Sequence, residues 1–199
     1  VVLPSSPDLS WVNKDISKFK ISGPYAILVP GGAKHRLEKR WSKQHYRRLA
    51  KKLNEKGIIP LVIGTELEKG LGEFILDKVD SGINMAGTTS IYDLCALGAN
   101  ALITIGNDTG PMHLAALLGT KILAFFMGGS DPVLTGPYLE NSLILYHPLS
   151  CAPCNHPEHC QKDYACRDYP LEKAMRSILA YAIFGDDTTD FFPSIISSV

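Results

Sequence analysis

The chain has 199 residues, of which 45% are hydrophobic and 20% are charged, values typical of a globular protein with one large domain or two small ones. Its 20 basic and 20 acidic residues give a formal net charge of zero, so we expect no nucleic-acid partner. No apolar run reaches the roughly 18 residues that a membrane-spanning helix needs. The first residues lack the basic and apolar parts of a secretory signal, and the missing initiator Met indicates a processed chain or a fragment.

Short apolar runs alternate with helical patterns along the chain. The predicted strands cover residues 26–29, 58–63, 101–105, 121–126 and 143–146, and the predicted helices cover residues 43–56, 67–79, 90–97, 111–118 and 171–184. This alternation predicts a Rossmann-like α/β domain of three layers with a mostly parallel sheet, which binds ligands beyond the carboxyl ends of its strands. We expect the domain to cover residues 26–184, after a lead-in at residues 1–25 and before a loosely ordered tail at residues 185–199.

The charges are unevenly distributed. Residues 34–56 contain ten basic and two acidic side chains, a local charge of +8. Such a field suits an anionic partner, either a diphosphate or an acidic membrane surface. A solvated helix face would have the same pattern, and the sequence leaves both interpretations open.

The segment GNDTGPMH at residues 106–113 has the form of a strand end, a polar turn and a helix start. Pro111 suits the first helical turn, and Asp108 or Thr109 could cap the helix. The free N–H groups and the helix dipole make such a turn a site for an anion, typically a phosphate. Gly110 allows a close approach of the backbone, and His113 in the first turn could face the same ligand. A capped helix with a surface histidine is the alternative.

A cysteine-rich stretch at residues 150–167 interrupts the strand and helix pattern. Its spacing is C-x2-C-x5-C-x5-C, formed by Cys151, Cys154, Cys160 and Cys166. Four thiolates could hold a structural zinc ion, although the spacing is not that of a common zinc module. Thiols without metal, or oxidised thiols, are the alternative.

Several segments in the same order resemble a known family. They are Pro30-Gly31-Gly32, Lys39-Arg40-Trp41-Ser42, Gly64-Thr65-Glu66, residues 84–94, residues 107–116 and the four cysteines. Together they are similar to the ADP-heptose:lipopolysaccharide heptosyltransferases of glycosyltransferase family 9, which have the two-domain GT-B fold. The resemblance covers residues 26–184 and implies that the chain corresponds to the C-terminal, donor-binding half.

The resemblance implies donor contacts at the turn after the predicted strand 101–105. Asp108, Thr109 and Gly110 would contact the diphosphate and the sugar of the donor. His113 would lie near the sugar.

The resemblance also implies donor contacts at two other loops. Lys39 would neutralise the diphosphate and stabilise the charge that develops as it leaves. Glu66 would bind the adenosine ribose, and Gly31 and Gly32 would let the backbone approach the diphosphate. The family's hydroxyl residues are glycines here, and six residues separate Gly32 from Lys39. Two other cations could therefore take the place of Lys39: Lys34 and Arg36.

The family implies a particular reaction and setting. A heptose or related sugar would pass with inversion from a nucleotide-sugar, ADP-heptose, to a glycolipid acceptor of the lipopolysaccharide core. The catalytic base would lie on an N-terminal acceptor domain, no cofactor would be required, and the enzyme would be cytoplasmic, at the inner face of the inner membrane. Two alternatives remain at this point: a non-catalytic nucleotide-sugar-binding module, and a redox or zinc-binding protein centred on the cysteines.

Overall fold

The computed structural model describes residues 8–137, 142–147, 149–155 and 157–183. Within these ranges, one sheet contains six strands, all parallel, in the order β3-β2-β1-β4-β5-β6. The strands are β1 Tyr25–Val29, β2 Ile59–Val62, β3 Ile83–Asn84, β4 Ile103–Asn107, β5 Ile122–Phe126 and β6 Ser142–Tyr146. This is the strand order of the Rossmann fold, and the order reverses between β1 and β4.

Six α-helices connect or follow these strands in the described residues. They are α1 Lys43–Glu55, α2 Lys69–Leu76, α3 Ile91–Asn100, α4 Gly110–Leu117, α5 Pro132–Thr135 and α6 Leu171–Ile183. The predicted helix at residues 67–79 is shorter in the structure, because its first residues form the 3₁₀ turn Glu66–Glu68. The final residue of the predicted helix 171–184 and the predicted tail at residues 185–199 lie outside the described part of the chain.

Two hydrophobic cores cover the two faces of the sheet, so the domain has the three layers that the sequence predicts. Side chains alternate along β1, where Ala26 and Leu28 enter one core and Tyr25, Ile27 and Val29 enter the other. The first core is closed by α1, α2 and α6, and the second by α3 and α4. Part of the segment expected to be a lead-in also belongs to the second core, against which three of its side chains pack: Ile16, Phe19 and Ile21.

Helix α1 is amphipathic, and its apolar side faces the first core. The buried side chains are Tyr46, Leu49, Ala50 and Leu53. Gly57 ends the helix at a φ of +73°, a left-handed conformation that glycine adopts without strain. The basic residues of α1 therefore point away from the sheet, while the apolar stripe is already covered.

Candidate functional site

A cleft of about 820 Å³ lies beyond the carboxyl ends of β1, β2 and β4, next to the point where the strand order reverses. Open α/β sheets bind their ligands at this position. Seven of the eight donor-binding residues predicted from the sequence line the cleft: Gly31, Gly32, Lys39, Glu66, Asp108, Thr109 and Gly110. The eighth, His113, contacts the carboxylate of Asp108 through Nε2 at 3.4 Å. The structure thus brings together residues from three separate loops.

The carboxylate of Asp108 is the centre of a small polar network. Its Oδ2 atom accepts hydrogen bonds from Lys39 Nζ at 3.1 Å and from Ser130 Oγ at 2.8 Å. The side chain of Asp108 is only 6% exposed, so this ion pair is weakly screened by solvent. Ser130, which follows β5, is a site residue that the sequence patterns did not reveal.

The cation paired with Asp108 is Lys39. The guanidinium of Arg36 instead pairs with the buried carboxylate of Glu38 and donates from Nη2 to the carbonyl of Gly129 at 3.0 Å. Lys34 does not line the cleft. Neither of the two substitute cations occupies the position of Lys39.

Trp41 anchors the loop that carries Lys39. Its indole stacks on Phe125 with ring centroids 4.1 Å apart, and its Nε1 donates to the carbonyl of Tyr169 at 2.8 Å. The side chain is 1% exposed, so this contact holds the beginning of α1 against β5. Lys39, two residues earlier, is thereby kept near the end of β4.

Asn107 joins three parts of the site, a role that no sequence pattern revealed. Its buried amide nitrogen donates to the carbonyls of Pro30 and Gly31, both at 2.9 Å. Its oxygen accepts from the backbone N–H of Trp41 at 2.9 Å and from the hydroxyl of Tyr46 at 3.2 Å. Burial raises the pKa of Tyr46 well above its ordinary value, so this hydroxyl remains a donor. A single side chain therefore fixes the glycine loop, the start of α1 and the end of β4.

The start of α4 differs from the expectation in one respect. Thr109 occupies the N-cap position, but its hydroxyl bonds to the carbonyl of Asn107 at 3.1 Å, and the Asp108 carboxylate is taken by the polar network. The predicted side-chain cap by Asp108 or Thr109 is therefore wrong. Pro111 lies in the first turn, as expected, and Gly110, the first residue of α4, borders the cleft.

Glu66 lies at the opposite side of the cleft, in the 3₁₀ turn after β2. Its side chain is 70% exposed and stands 3.6 Å from Lys69 Nζ. The neighbouring Glu68 is engaged in a capping box, in which its carboxylate accepts from the backbone N–H of Thr65 at 2.8 Å. Of these two carboxylates, Glu66 is therefore the one available to a ligand.

The four cysteines lie in different surroundings. Cys151 is exposed, Cys154 and Cys160 are half-buried, and Cys166 is buried. Burial raises the pKa of the Cys166 thiol, a hydrogen bond with Gly128 lowers it, and the other three thiols raise it further. Across the described ranges, no three side chains of His, Cys, Asp or Glu are arranged to hold a metal ion.

The cysteine-rich segment contacts the cleft loops through other groups. Cys154 donates its backbone N–H to the carbonyl of Gly128 at 2.5 Å, and Arg167 Nε donates to the carbonyl of Arg40 at 2.9 Å. These bonds tie the segment to two loops that flank the polar network.

No helix in the described residues is long and apolar enough to cross a membrane.

The strand order, the cleft at the reversal point and the helix that starts there define a Rossmann-like α/β domain, as expected. A model of glycosyltransferase family 9 (heptosyltransferase) matches residues 6–165. Lipooligosaccharide heptosyltransferase 2 of Haemophilus influenzae is 29% identical over 119 residues, which are 57% of this chain and 34% of that protein. The chain belongs to glycosyltransferase family 9.

Two solved structures from E. coli have a similar fold. ADP-heptose lps heptosyltransferase II has a TM-score of 0.62 at 28% identity and covers 67% of this chain and 42% of that one. Heptosyltransferase WaaC with ADP has a TM-score of 0.57 at 26% identity, over 63% of this chain and 38% of that one. The chain therefore spans between a third and a half of the length of these relatives.

Proposed function

We propose that this chain is the donor-binding part of a glycosyltransferase that moves a heptose or related sugar from ADP-heptose to an acceptor in the lipopolysaccharide core, with inversion. The observation that carries the proposal is the pairing of Lys39 with Asp108 across the reversal point of the sheet, beside the first turn of α4. The family match over residues 6–165 supports the same reaction.

The cleft offers one position for each part of a nucleotide-sugar. The diphosphate would lie over Gly31 and Gly32, against the N-terminal amide of Gly110, where the helix dipole favours negative charge. The ribose would reach the exposed carboxylate of Glu66. Lys39 would counter the charge of the diphosphate as the bond to the sugar breaks.

The sugar would lie on the other side of the diphosphate. Asp108 can accept hydrogen bonds from sugar hydroxyls, since a carboxylate has about four lone-pair positions. Thr109 would contact the diphosphate and sugar from the same turn, and His113 would stand at the edge of the sugar. The hydrogen bond from Ser130 would keep the Asp108 carboxylate oriented towards the sugar while it pairs with Lys39.

The acceptor and the catalytic base would come from a separate acceptor domain. We therefore expect this chain alone to bind the donor without transferring the sugar. A non-catalytic binding module would behave in the same way alone, but would stay inactive after the chain is joined to the acceptor half of a family member. Sugar transfer by the joined protein is the outcome that the proposal requires.

Donor binding in this proposal needs no cofactor, because Lys39 and the start of α4 supply the positive charge. ADP affinity that is unchanged by EDTA is the expected result. A structural zinc at Cys151, Cys154, Cys160 and Cys166 is a separate question, which metal analysis of the purified chain decides.

The acceptor is a glycolipid, so we also propose that the protein works at the inner face of the inner membrane. The exposed basic side of α1 would contact anionic headgroups. Its apolar side is buried against the sheet, so the contact would rest on charge and not on insertion.

Titration of an ADP-sugar into the purified chain tests the donor site. We expect Lys39→Ala and Asp108→Ala each to weaken binding by about 1–3 kcal/mol, the scale of charge-assisted hydrogen bonds. Arg48→Ala, on the exposed side of α1, is the matched control and should leave the affinity unchanged. If both site variants bind as tightly as the wild-type chain, the site assignment is wrong.

A further inference from the structure

Three cations with long side chains line the cleft, and they differ in how their charges are compensated. Lys39 pairs with Asp108, and Arg36 pairs with Glu38. Arg40 forms an ion pair with none of the carboxylates in the described residues. The first two cations have a carboxylate partner, and Arg40 is the member of this group without one in the described residues.

The guanidinium of Arg40 has an unused donor. Its Nη2 donates to the carbonyls of Gly32 at 2.6 Å and Ala33 at 3.1 Å. Its Nε is shielded from solvent and finds no hydrogen-bond partner in the part of the chain that the structure describes. A buried donor without an acceptor is costly, so a small movement that turns this N–H towards an acceptor in the cleft would remove that cost.

Gly32 leaves room for such an acceptor. A Cβ atom at this position would lie 3.6 Å from Arg40 Nε and 3.5 Å from the γ-methyl of Thr109. The space that a side chain would fill is therefore bordered by the guanidinium on one side and by the turn before α4 on the other. An anion at the start of α4 would therefore lie close to Arg40, across the glycine.

The backbone of Arg40 is fixed from both sides. Arg167 Nε donates to the Arg40 carbonyl at 2.9 Å, and the N–H of the next residue, Trp41, donates to Asn107 Oδ1 at 2.9 Å. Because this backbone is already fixed, little conformational entropy is lost when a ligand binds, and this favours tight binding.

We propose that Arg40 binds the diphosphate of the nucleotide-sugar, opposite the first turn of α4. This inference rests on the proposed function and adds a ligand-binding residue to the same site. Guanidinium groups suit the role because their planar donors match the oxygens of phosphate groups. The contact is to the phosphates alone, so a nucleoside without phosphate does not benefit from it.

Calorimetric titration of ADP and of adenosine into the 199-residue chain separates these effects. We expect Arg40→Met to weaken ADP binding about 10- to 100-fold, the range for lost charge-assisted hydrogen bonds, and to change adenosine binding less than about twofold. Arg40→Lys, which keeps the charge but loses the planar donors, should fall between Arg40→Met and wild type. Arg48→Met removes an equal charge from the exposed side of α1 and should bind both ligands as the wild type does.

Three outcomes contradict the inference. Equal losses for ADP and adenosine would show that Arg40 only supports the loop, and unchanged ADP affinity in Arg40→Met would show that it does not contact the diphosphate. In both cases a wild-type chain that binds ADP leaves the proposed function intact. A wild-type chain that binds neither ADP nor an ADP-sugar would overturn the proposed function and this inference with it.

Discussion

At the scale of single residues, Asn107 holds the loops of the cleft in place through hydrogen bonds and carries no charge itself. All four hydrogen-bonding positions of its amide are used, two toward the glycine loop and two toward α1. The orientation of the amide is fixed by its partners, because a rotated amide would set its oxygen against two carbonyl oxygens. The cleft therefore depends on a donor and an acceptor in one small side chain.

Asn107→Asp tests this dependence, because it keeps the size and removes the donor. We expect the free energy of unfolding at neutral pH to fall by about 3 kcal/mol, since the carbonyls of Pro30 and Gly31 lose their partner and a charge is buried. Urea denaturation measures the loss. Part of the stability should return at acidic pH, where a protonated carboxyl group can donate again.

Tyr46→Phe is the control for Asn107→Asp. It removes one hydrogen bond to the Asn107 oxygen and leaves the contacts with the glycine loop intact. A cost of about 0.5–1.5 kcal/mol is expected, the usual value of a single hydrogen bond. If Asn107→Asp proves no more costly than Tyr46→Phe, Asn107 does not hold the loop.

At the scale of elements, α3 has a well-defined start. Ser90 and Asp93 form a capping box, with Ser90 N–H donating to Asp93 Oδ2 at 2.9 Å and Asp93 N–H donating to Ser90 Oγ at 3.2 Å. The hydrogen bond from Lys18, followed by that from the Ser90 backbone, lowers the pKa of Asp93 from 3.8 to about 2. The cap also connects α3 to the segment before β1.

The lowered pKa predicts an acid-dependent contribution to stability. Because the folded state favours the ionised carboxylate, this contribution is fully present above pH 3.8 and is lost as the pH falls towards about 2. We expect Asp93→Asn to destabilise the fold by about 1 kcal/mol at pH 6, and the difference from wild type to shrink between about pH 4 and pH 2.

Denaturation curves at several pH values measure this difference. Asp80→Asn, at an exposed carboxylate in the turn before β3, serves as the control and should show no comparable change. A deficit in Asp93→Asn that stays constant down to pH 2 would contradict the role of the ionised carboxylate in the cap.

The same scale shows what the sequence could and could not predict. Long periodic segments such as α1 were recognisable because the spacing of their apolar residues indicates which side is buried. Buried strands such as β5 were recognisable as short runs of apolar residues. The strand β3 was missed because two residues carry no periodicity, and α5 was missed because four residues form barely one turn. The strand order follows from pairing between distant segments, which no local pattern contains.

Some residues of the site could likewise be predicted from the sequence, and others could not. Asp108, Lys39 and the glycine loop were accessible from order and resemblance, and the structure places them around one cleft. The roles of Asn107 and Ser130 arise only from tertiary contacts. The error about the cap of α4 has the same origin, since the distant side chains of Lys39 and Ser130 engage the Asp108 carboxylate.

At the scale of the whole molecule, α1 and its end carry a row of cations. Arg48, Lys52 and Lys56 are spaced four residues apart, so they form one row along α1 and its end. The proposed contact with an anionic leaflet would rest on this row, and each cation near such a surface contributes about 1 kcal/mol.

Co-sedimentation with anionic vesicles tests the contact. We expect binding that weakens as salt is added, and that falls more than about tenfold in Arg48→Glu/Lys52→Glu. Lys14→Glu/Lys20→Glu changes the charge equally, in an exposed segment associated with the other face of the sheet, and should bind nearly as the wild type does. Binding that is insensitive to salt, or lost equally in both variants, would contradict the proposal.

The stacking of Trp41 on Phe125 gives the protein an optical reporter next to the proposed donor site. The chain has two tryptophans, of which Trp41 is 1% exposed and Trp11 is 58% exposed. A soluble quencher therefore suppresses the emission of Trp11 first and leaves that of Trp41, which lies two residues after Lys39. Intrinsic fluorescence can report changes around the loop that carries Lys39 in real time, without a label.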